Sequence, residues 1–286
     1  MEKILLNKSH ILALDGAMGS ILESSGIVKK DDLWATRALI ENPEVVINIH
    51  SSYIKSGADI ITTNTFRTNP LVMQKYNLES KYFVKKAVEL CKLSAKNNHV
   101  YIAGSNPPAE DCYQVERTVT KESLKYNHQY HISLLYENEV SFILNETISH
   151  YDEIEIICEY CDLNKIPFVI SLYLNDNGNI LSGEPLSQVM NYIIQYQPLA
   201  VSLNCISYEV FLNAITSIDL NYNFGFYLNC FSQYYKNSYT NINAAEYYKI
   251  VKEFINYHPV FIGSCCGSTP EHTKMIKKAI NEINNN

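Results

Sequence analysis

At roughly 150 residues per average domain, a chain of 286 residues divides into about two domains unless it forms one large α/β barrel, so length alone does not choose. Hydrophobic residues at 47% and charged residues at 19% match folded globular chains and exclude disorder, collagen and coiled coil. The 23 Lys and Arg stand against 30 Asp and Glu, a net charge of −7, which is the wrong sign for gripping a phosphate backbone and removes nucleic acid from the expected partners.

From the N-terminus, the apolar bursts are broken by Asn7, Lys8, Ser9 and His10 and are too short for a membrane span or a signal peptide. The expectation is a cytoplasmic protein with no membrane partner, whose eight cysteines serve as thiols, metal ligands or core fillers in preference to disulfides. Eight β-rich runs then follow in order, at 11–14 (ILAL), 59–63 (DIITT), 100–104 (VYIAG), 141–145 (SFILN), 168–173 (FVISLY), 199–204 (LAVSLN), 224–228 (FGFYL) and 260–263 (VFIG). Most are continuous apolar runs, as expected for a parallel sheet covered on both faces.

Helical punctuation fills the gaps. Asn42-Pro43 supplies a cap and a first-turn proline ahead of Val46, Ile49 and Tyr53, and Gly57 closes that helix. Ser80 opens a helix whose stripe is Val84, Val88, Cys91 and Ala95; Leu124, His131 and Leu135 mark another. Further helices are expected over 185–196 and 244–257, and Thr269-Pro270-Glu271 begins the last, running through Ile276 and Ile280. Eight β/α units in one chain, with no Pro/Gly-rich linker dividing it, predict a single (β/α)8 TIM barrel domain over 1–286, with an open doubly wound sheet as the alternative.

A TIM barrel does its chemistry at the C-terminal ends of its strands. The residues that follow the apolar runs are unusually polar: Asp15-Gly16, Asn64-Thr65, Glu146-Thr147, Asn204-Cys205, Asn229-Cys230 and 263–267 (GSCCG). Cys265 and Cys266, bracketed by Gly263 and Gly267, can turn both sulfurs toward one ion, and Cys205 leaves a strand two positions away in the same rim. Three thiolates and one open position match a catalytic zinc site, since structural zinc has four protein ligands. The alternative is three cysteines acting as small core residues. Cys158 and Cys161 form a lone CxxC in a helix, a weak metal or redox signal; Cys91 and Cys112 read as structural and Cys230 as a pocket-lining thiol. Asp15 and Glu146 leave strands 1 and 4 and can converge over the barrel mouth, either as acid and base or as a cradle for an ammonium group; the competing reading is a helix cap for Asp15 and a solvated Glu146. His128 and His131 read as surface or packing residues of an outer helix, and His272 has no evident role.

On these residues the chain resembles the homocysteine S-methyltransferases, which share a TIM barrel with a three-cysteine zinc site. The resemblance is carried by 14–20 (LDGAMGS), 56–70 (SGADIITTNTFRTNP), 145–148 (NETI), 203–205 (LNC) and 263–272 (GSCCGSTPEH), in the family's order along almost the whole chain. It implies that Cys205, Cys265 and Cys266 bind Zn2+, that Asp15, Gly16 and Glu146 hold the amino-acid end of homocysteine, and that the homocysteine sulfur fills the open metal position as a thiolate. Methyl transfer from a small-molecule donor to that sulfur gives methionine, with no catalytic side chain beyond the metal-activated substrate.

The pattern departs from the family's at Ser264, where a second glycine is usual, at 104–112 (GSNPPAEDC) after strand 3, and at 228–231 (LNCF) after strand 7. The zinc and homocysteine positions are kept; the altered loops belong to the donor side. Single-domain members resembling this chain use S-methylmethionine or S-adenosylmethionine, so a sulfonium donor is expected. The rival readings are a zinc- or thiol-binding barrel without its own donor site and a homocysteine-activating subunit that takes its methyl group from a partner.

Overall fold

The computed structural model describes residues 6–28, 31–96, 98–216, 221–232 and 240–284. Eight parallel strands form the central sheet: β1 (Leu12–Ala13), β2 (Ile60–Thr62), β3 (Tyr101–Asn106), β4 (Phe142–Ile148), β5 (Phe168–Leu172), β6 (Ala200–Asn204), β7 (Phe224–Leu228) and β8 (Phe261–Ser264). β1 pairs with β8, and the ladder then runs in order from β8 back to β2. The ring closes at β1 and β2, where Leu14 bridges Ile60, Asp59 N donates to Ala13 O at 2.8 Å and Asp15 N donates to Ile60 O at 2.9 Å. Closure excludes the open doubly wound sheet and makes the fold a (β/α)8 TIM barrel. All eight expected strands are present, and β1 and β2 are short. At this seam the Asp59 carboxylate takes the place of a strand partner, accepting from Ala13 N at 2.8 Å while the Lys277 ammonium donates to both its oxygens at 2.7 Å.

The crossover helices are α1 (Pro43–Lys55), α2 (Ser80–Ala95), α3 (Lys121–Glu137), α4 (Tyr151–Leu163), α5 (Leu186–Ile193), α6 (Tyr208–Ile215), α7 (Ala244–Phe254) and α8 (Pro270–Asn284). The helix expected over 185–196 is α5 continued by a 3-10 turn (Ile194–Tyr196), and that over 244–257 is α7 continued by another (Ile255–Tyr257). α6 has no expectation behind it in the sequence reading, although Ser207 caps it by accepting from Val210 N. Among the described residues no helix is long and apolar enough to cross a membrane.

The strands are mainly apolar because both their faces are buried, with polar residues gathered toward their C-terminal ends. One face joins the helices in the outer core; the other fills the barrel with Leu12, Leu14, Ile60, Phe142, Leu144, Val169, Tyr227 and Phe261. Inside this narrow space one side chain must be missing for another to fit. A Cβ on Gly225 would stand 2.5–2.7 Å from three atoms of the Phe261 ring. Gly225→Ala should therefore overpack the barrel and lower unfolding stability by about 1–3 kcal/mol, read from the midpoint of a urea titration; an unchanged midpoint would show that the interior accommodates the methyl group.

The histidines of α3 differ from the surface alternative: His128 and His131 are fully buried and face inward. His131 Nδ1 bonds Asn106 Oδ1 at 2.9 Å, and His128 Nε2 bonds Glu153 Oε1 at 2.9 Å. Glu153 also accepts from Ala109 N at 2.7 Å and from Arg117 Nη2 at 3.1 Å, which pins the loop after β3 to α4. Burial pushes the Glu153 carboxyl up, but the His128 and Arg117 bonds outweigh it and hold it at about 2.

Candidate active site

The C-terminal rim of the barrel opens into a cavity of about 460 Å³ lined from β1, β2, β4, β6, β7 and β8 and from the loops that follow them. Asp15, just past β1, is 4% exposed; its two carboxylate oxygens accept from Thr62 N at 2.9 Å and Thr62 Oγ1 at 2.8 Å. It caps no helix, since the following short helix (Met18–Ser24) starts at Ala17 without a side-chain cap. Gly16 lies so close to the wall that a Cβ would come within 2.5 Å of Ser268 Oγ and 2.8 Å of Tyr53 Oη, which explains the glycine by close approach of the backbone. Glu146 on β4 accepts from Ser105 Oγ and is only partly accessible, so it is not a solvated surface acid.

Burial pushes the Asp15 carboxyl up to about 8 against the opposing Thr62 bonds, and the charge of Glu146 adds to the rise. Glu146 is pushed up to about 7, again by burial, with the Ser105 hydroxyl opposing and the charge of Cys266 adding. Two carboxyls held this high lack a cation.

Cys205, Cys265 and Cys266 come together at the same rim: their sulfurs all lie within 4.8 Å of one another, and Cys205 Sγ is 3.6 Å from Cys266 Sγ. Tetrahedral bonds of about 2.3 Å from sulfur to zinc set sulfurs about 3.8 Å apart, so the donor set fits a thiophilic divalent ion. Hydrogen bonds from the Cys205 and Cys265 thiols hold Cys266 well below the ordinary thiol range, leaving one thiolate stabilised by two thiols. Cys205 has φ +55°, and Gly267 has φ +81°. Gly263 has no such turn; it is a glycine because a Cβ would crowd Leu14 and Tyr227 at 2.9–3.1 Å.

The other cysteines separate from this group. Cys158 and Cys161 are fully buried in the outer core, and Cys91 Sγ packs against His50 Nε2 at 3.3 Å. Cys230 corrects the pocket-lining expectation: it is fully buried among the outer-core side chains and does not line the cavity, while its N–H donates to Cys266 O. Cys112, read as structural, does line the cavity. Thr62, Phe66, Ser105 and Tyr227 lie inside segments singled out in the sequence (56–70, 104–112 and 224–228) without a role assigned there, and Trp34 and Tyr113 at the cavity are announced by no spacing. His272 ties the start of α8 to the segment that leads into α7, bonding Ile242 O at 2.9 Å.

The sequence profile described as Homocysteine S-methyltransferase matches residues 12–280. The chain belongs to the homocysteine S-methyltransferase family. It is 29% identical over 228 residues to the homocysteine S-methyltransferase of Escherichia coli (strain K12), covering 72% of this chain and 73% of that one. Homocysteine S-methyltransferase 2 of Zea mays is 24% identical over 309 residues, with coverage of 96% and 91%. The metallated form of the homocysteine methyltransferase MmuM from Escherichia coli superposes with a TM-score of 0.81 at 25% identity, over 94% of this chain and 96% of that one. As a member of the family, this methyltransferase acts on homocysteine.

The two high carboxyls make the metal-free fold pH-sensitive in a definite direction. An unfolded chain releases the Asp15 proton near its ordinary 3.8, whereas the folded chain keeps it until about 8. Between those values the folded state binds more protons, so its stability falls as pH rises. Asp15→Asn, which cannot ionise, should lose less stability between about pH 5 and pH 7.5 than the parent protein, measured by denaturant midpoints in the presence of chelator; equal losses would place the Asp15 carboxyl in its ordinary range.

Proposed function

We propose that the protein is a zinc-dependent enzyme that transfers a methyl group from a sulfonium donor, S-methylmethionine or S-adenosylmethionine, to homocysteine, giving methionine. The observation that carries this reading is the convergence of Cys205, Cys265 and Cys266 within 4.8 Å, next to two buried carboxyls that lack a cation. Zinc held by three thiolates keeps a fourth, substrate thiol deprotonated at neutral pH.

Asp15 and Glu146 receive the homocysteine ammonium group, and its positive charge restores both carboxyls to their ionised forms. Gly16 lets the backbone wall lie close enough to hold the amino-acid end. With the head group held by the carboxylates and the sulfur at the thiol cluster, the substrate would be held in one orientation. The transfer forms a bond from homocysteine sulfur to the methyl carbon and breaks the bond from that carbon to the donor sulfur, which leaves as a neutral thioether.

The mouth suits a cationic donor. Beyond Asp15 and Glu146, Asp31, Asp32 and Asp111 line the cavity, each already paired, with Arg37, Lys75 and Arg67 respectively. Trp34 and Phe66 stand edge to face at 6.2 Å and add π surface at the same opening. An onium charge gains from this π surface.

The test combines metal analysis with turnover. Protein prepared without chelator should hold close to one zinc per chain, Cys265→Ser should lose most of it, and Cys158→Ala, in the outer core, should keep it. The zinc-loaded protein should form methionine from homocysteine with either sulfonium donor and none with methylfolate. Full zinc in Cys265→Ser contradicts the metal assignment; methionine from methylfolate alone contradicts the donor assignment.

A further inference from the structure

Thr147 follows Glu146 directly and has φ +60°, a left-handed conformation that a β-branched residue avoids. The pairing of β4 with β5 slips at this point. Asn145 pairs with Ile170 and Ile148 with Leu172, so Glu146 and Thr147 stand opposite Ser171 alone, a one-residue bulge. Strain of this kind persists only where the surroundings impose it.

Here the imposing group is the side chain of Asn204. Its Oδ1 accepts from Thr147 N at 2.9 Å and from Ser171 Oγ at 2.7 Å, and its Nδ2 donates to Thr147 Oγ1 at 2.8 Å. Asn204, Thr147 and Ser171 are all buried to 1% exposure or less, so no water competes for these bonds. Both ends of the amide are used: the oxygen accepts from the backbone of the bulged residue and from Ser171 on the strand between, and the nitrogen donates to the bulged residue's hydroxyl. Asn204 also immediately precedes Cys205, which is itself left-handed at φ +55° and whose carbonyl accepts from Asn229 Nδ2 at 2.9 Å.

We propose that Asn204 is a positioning residue for homocysteine: its amide locks Thr147 in the left-handed bulge and so aims the neighbouring Glu146 carboxylate at the substrate ammonium group, in register with the thiol cluster that begins one residue later. Without the amide, Thr147 relaxes toward the extended region and the bulge closes. Glu146 shares the bulge with Thr147 opposite Ser171, so its closure shifts the Glu146 carboxylate away from the position where Ser105 Oγ meets it. A glutamine would carry the same groups one methylene too far, and an aspartate would lose the donor to Thr147 Oγ1.

The inference rests on the reading of Glu146 as the ammonium ligand, and the experiment separates the two. Homocysteine binding to zinc-loaded protein is measured by calorimetry for the parent, Glu146→Gln, Asn204→Ala and Asn204→Ala/Thr147→Gly. Asn204→Ala should keep its zinc and bind homocysteine about tenfold or more weakly, close to Glu146→Gln. Because glycine takes a positive φ without strain, Thr147→Gly in the same chain should bring affinity back to within about threefold of the parent. A side chain that acts only by packing offers no route to that rescue. Where Asn204→Ala alone does not fold, the double variant is compared directly with Glu146→Gln: affinity near the parent supports the lock, and a loss as large as that of Glu146→Gln overturns it. Parent-like affinity in Asn204→Ala beside a weakened Glu146→Gln overturns the lock and spares the ammonium site. Parent-like affinity in Glu146→Gln overturns both.

Discussion

Three thiol sulfurs held within 4.8 Å of one another on strands that are not neighbours form the constraint to which the barrel rim is built. Strand β7 lies between the two strands that supply them, so the chain must bend inward on both sides of it. It does so through the left-handed Cys205 on one side and the left-handed Gly267 turn on the other. The bends are fixed from β7 itself: Asn229 Nδ2 donates to Cys205 O, and Cys230 N donates to Cys266 O. Side-chain amides recur in this work around the rim. Asn106 Nδ2 donates to Asn145 Oδ1, Asn145 Nδ2 to Val169 O, and Asn204 holds Thr147. An amide suits a rim where strand pairing ends, because it offers one donor group and one acceptor to backbone left without ladder partners.

The same convergence creates an electrostatic deficit. Asp15, Glu146 and three thiols share one buried volume, and the carboxyls stay protonated well above their ordinary range without a cation. On the proposed reading, a divalent ion at the sulfurs and an ammonium group at the carboxyls would supply the missing charge, and the substrate would be selected by charge at one end and by sulfur affinity at the other.

Much of this was legible in the residues. The eight apolar runs located the strands because a parallel sheet buried on both faces leaves no alternation to confuse the reading. The residues after each run pointed to the rim, and the cysteine pair between two glycines marked the thiol cluster. What stayed hidden depends on three-dimensional closeness. Nothing in the sequence places Ser105 against Glu146 or Asn204 against Thr147, since those contacts span 41 and 57 residues. Whether the α3 histidines face solvent or pack inward was open for a related reason: a helix with little contrast between its faces does not show which side meets the barrel. Cys112 and Cys230 exchanged roles for want of knowing which way each loop turns, toward the cavity for the first and into the outer core for the second.

The central claim is that three thiolates hold the metal and leave one position for the substrate sulfur. X-ray absorption at the zinc edge tests it most directly, on zinc-loaded protein before and after homocysteine is added. The account predicts three sulfur neighbours at about 2.3 Å that become four with substrate. A sulfur count that stays the same with homocysteine bound would contradict it.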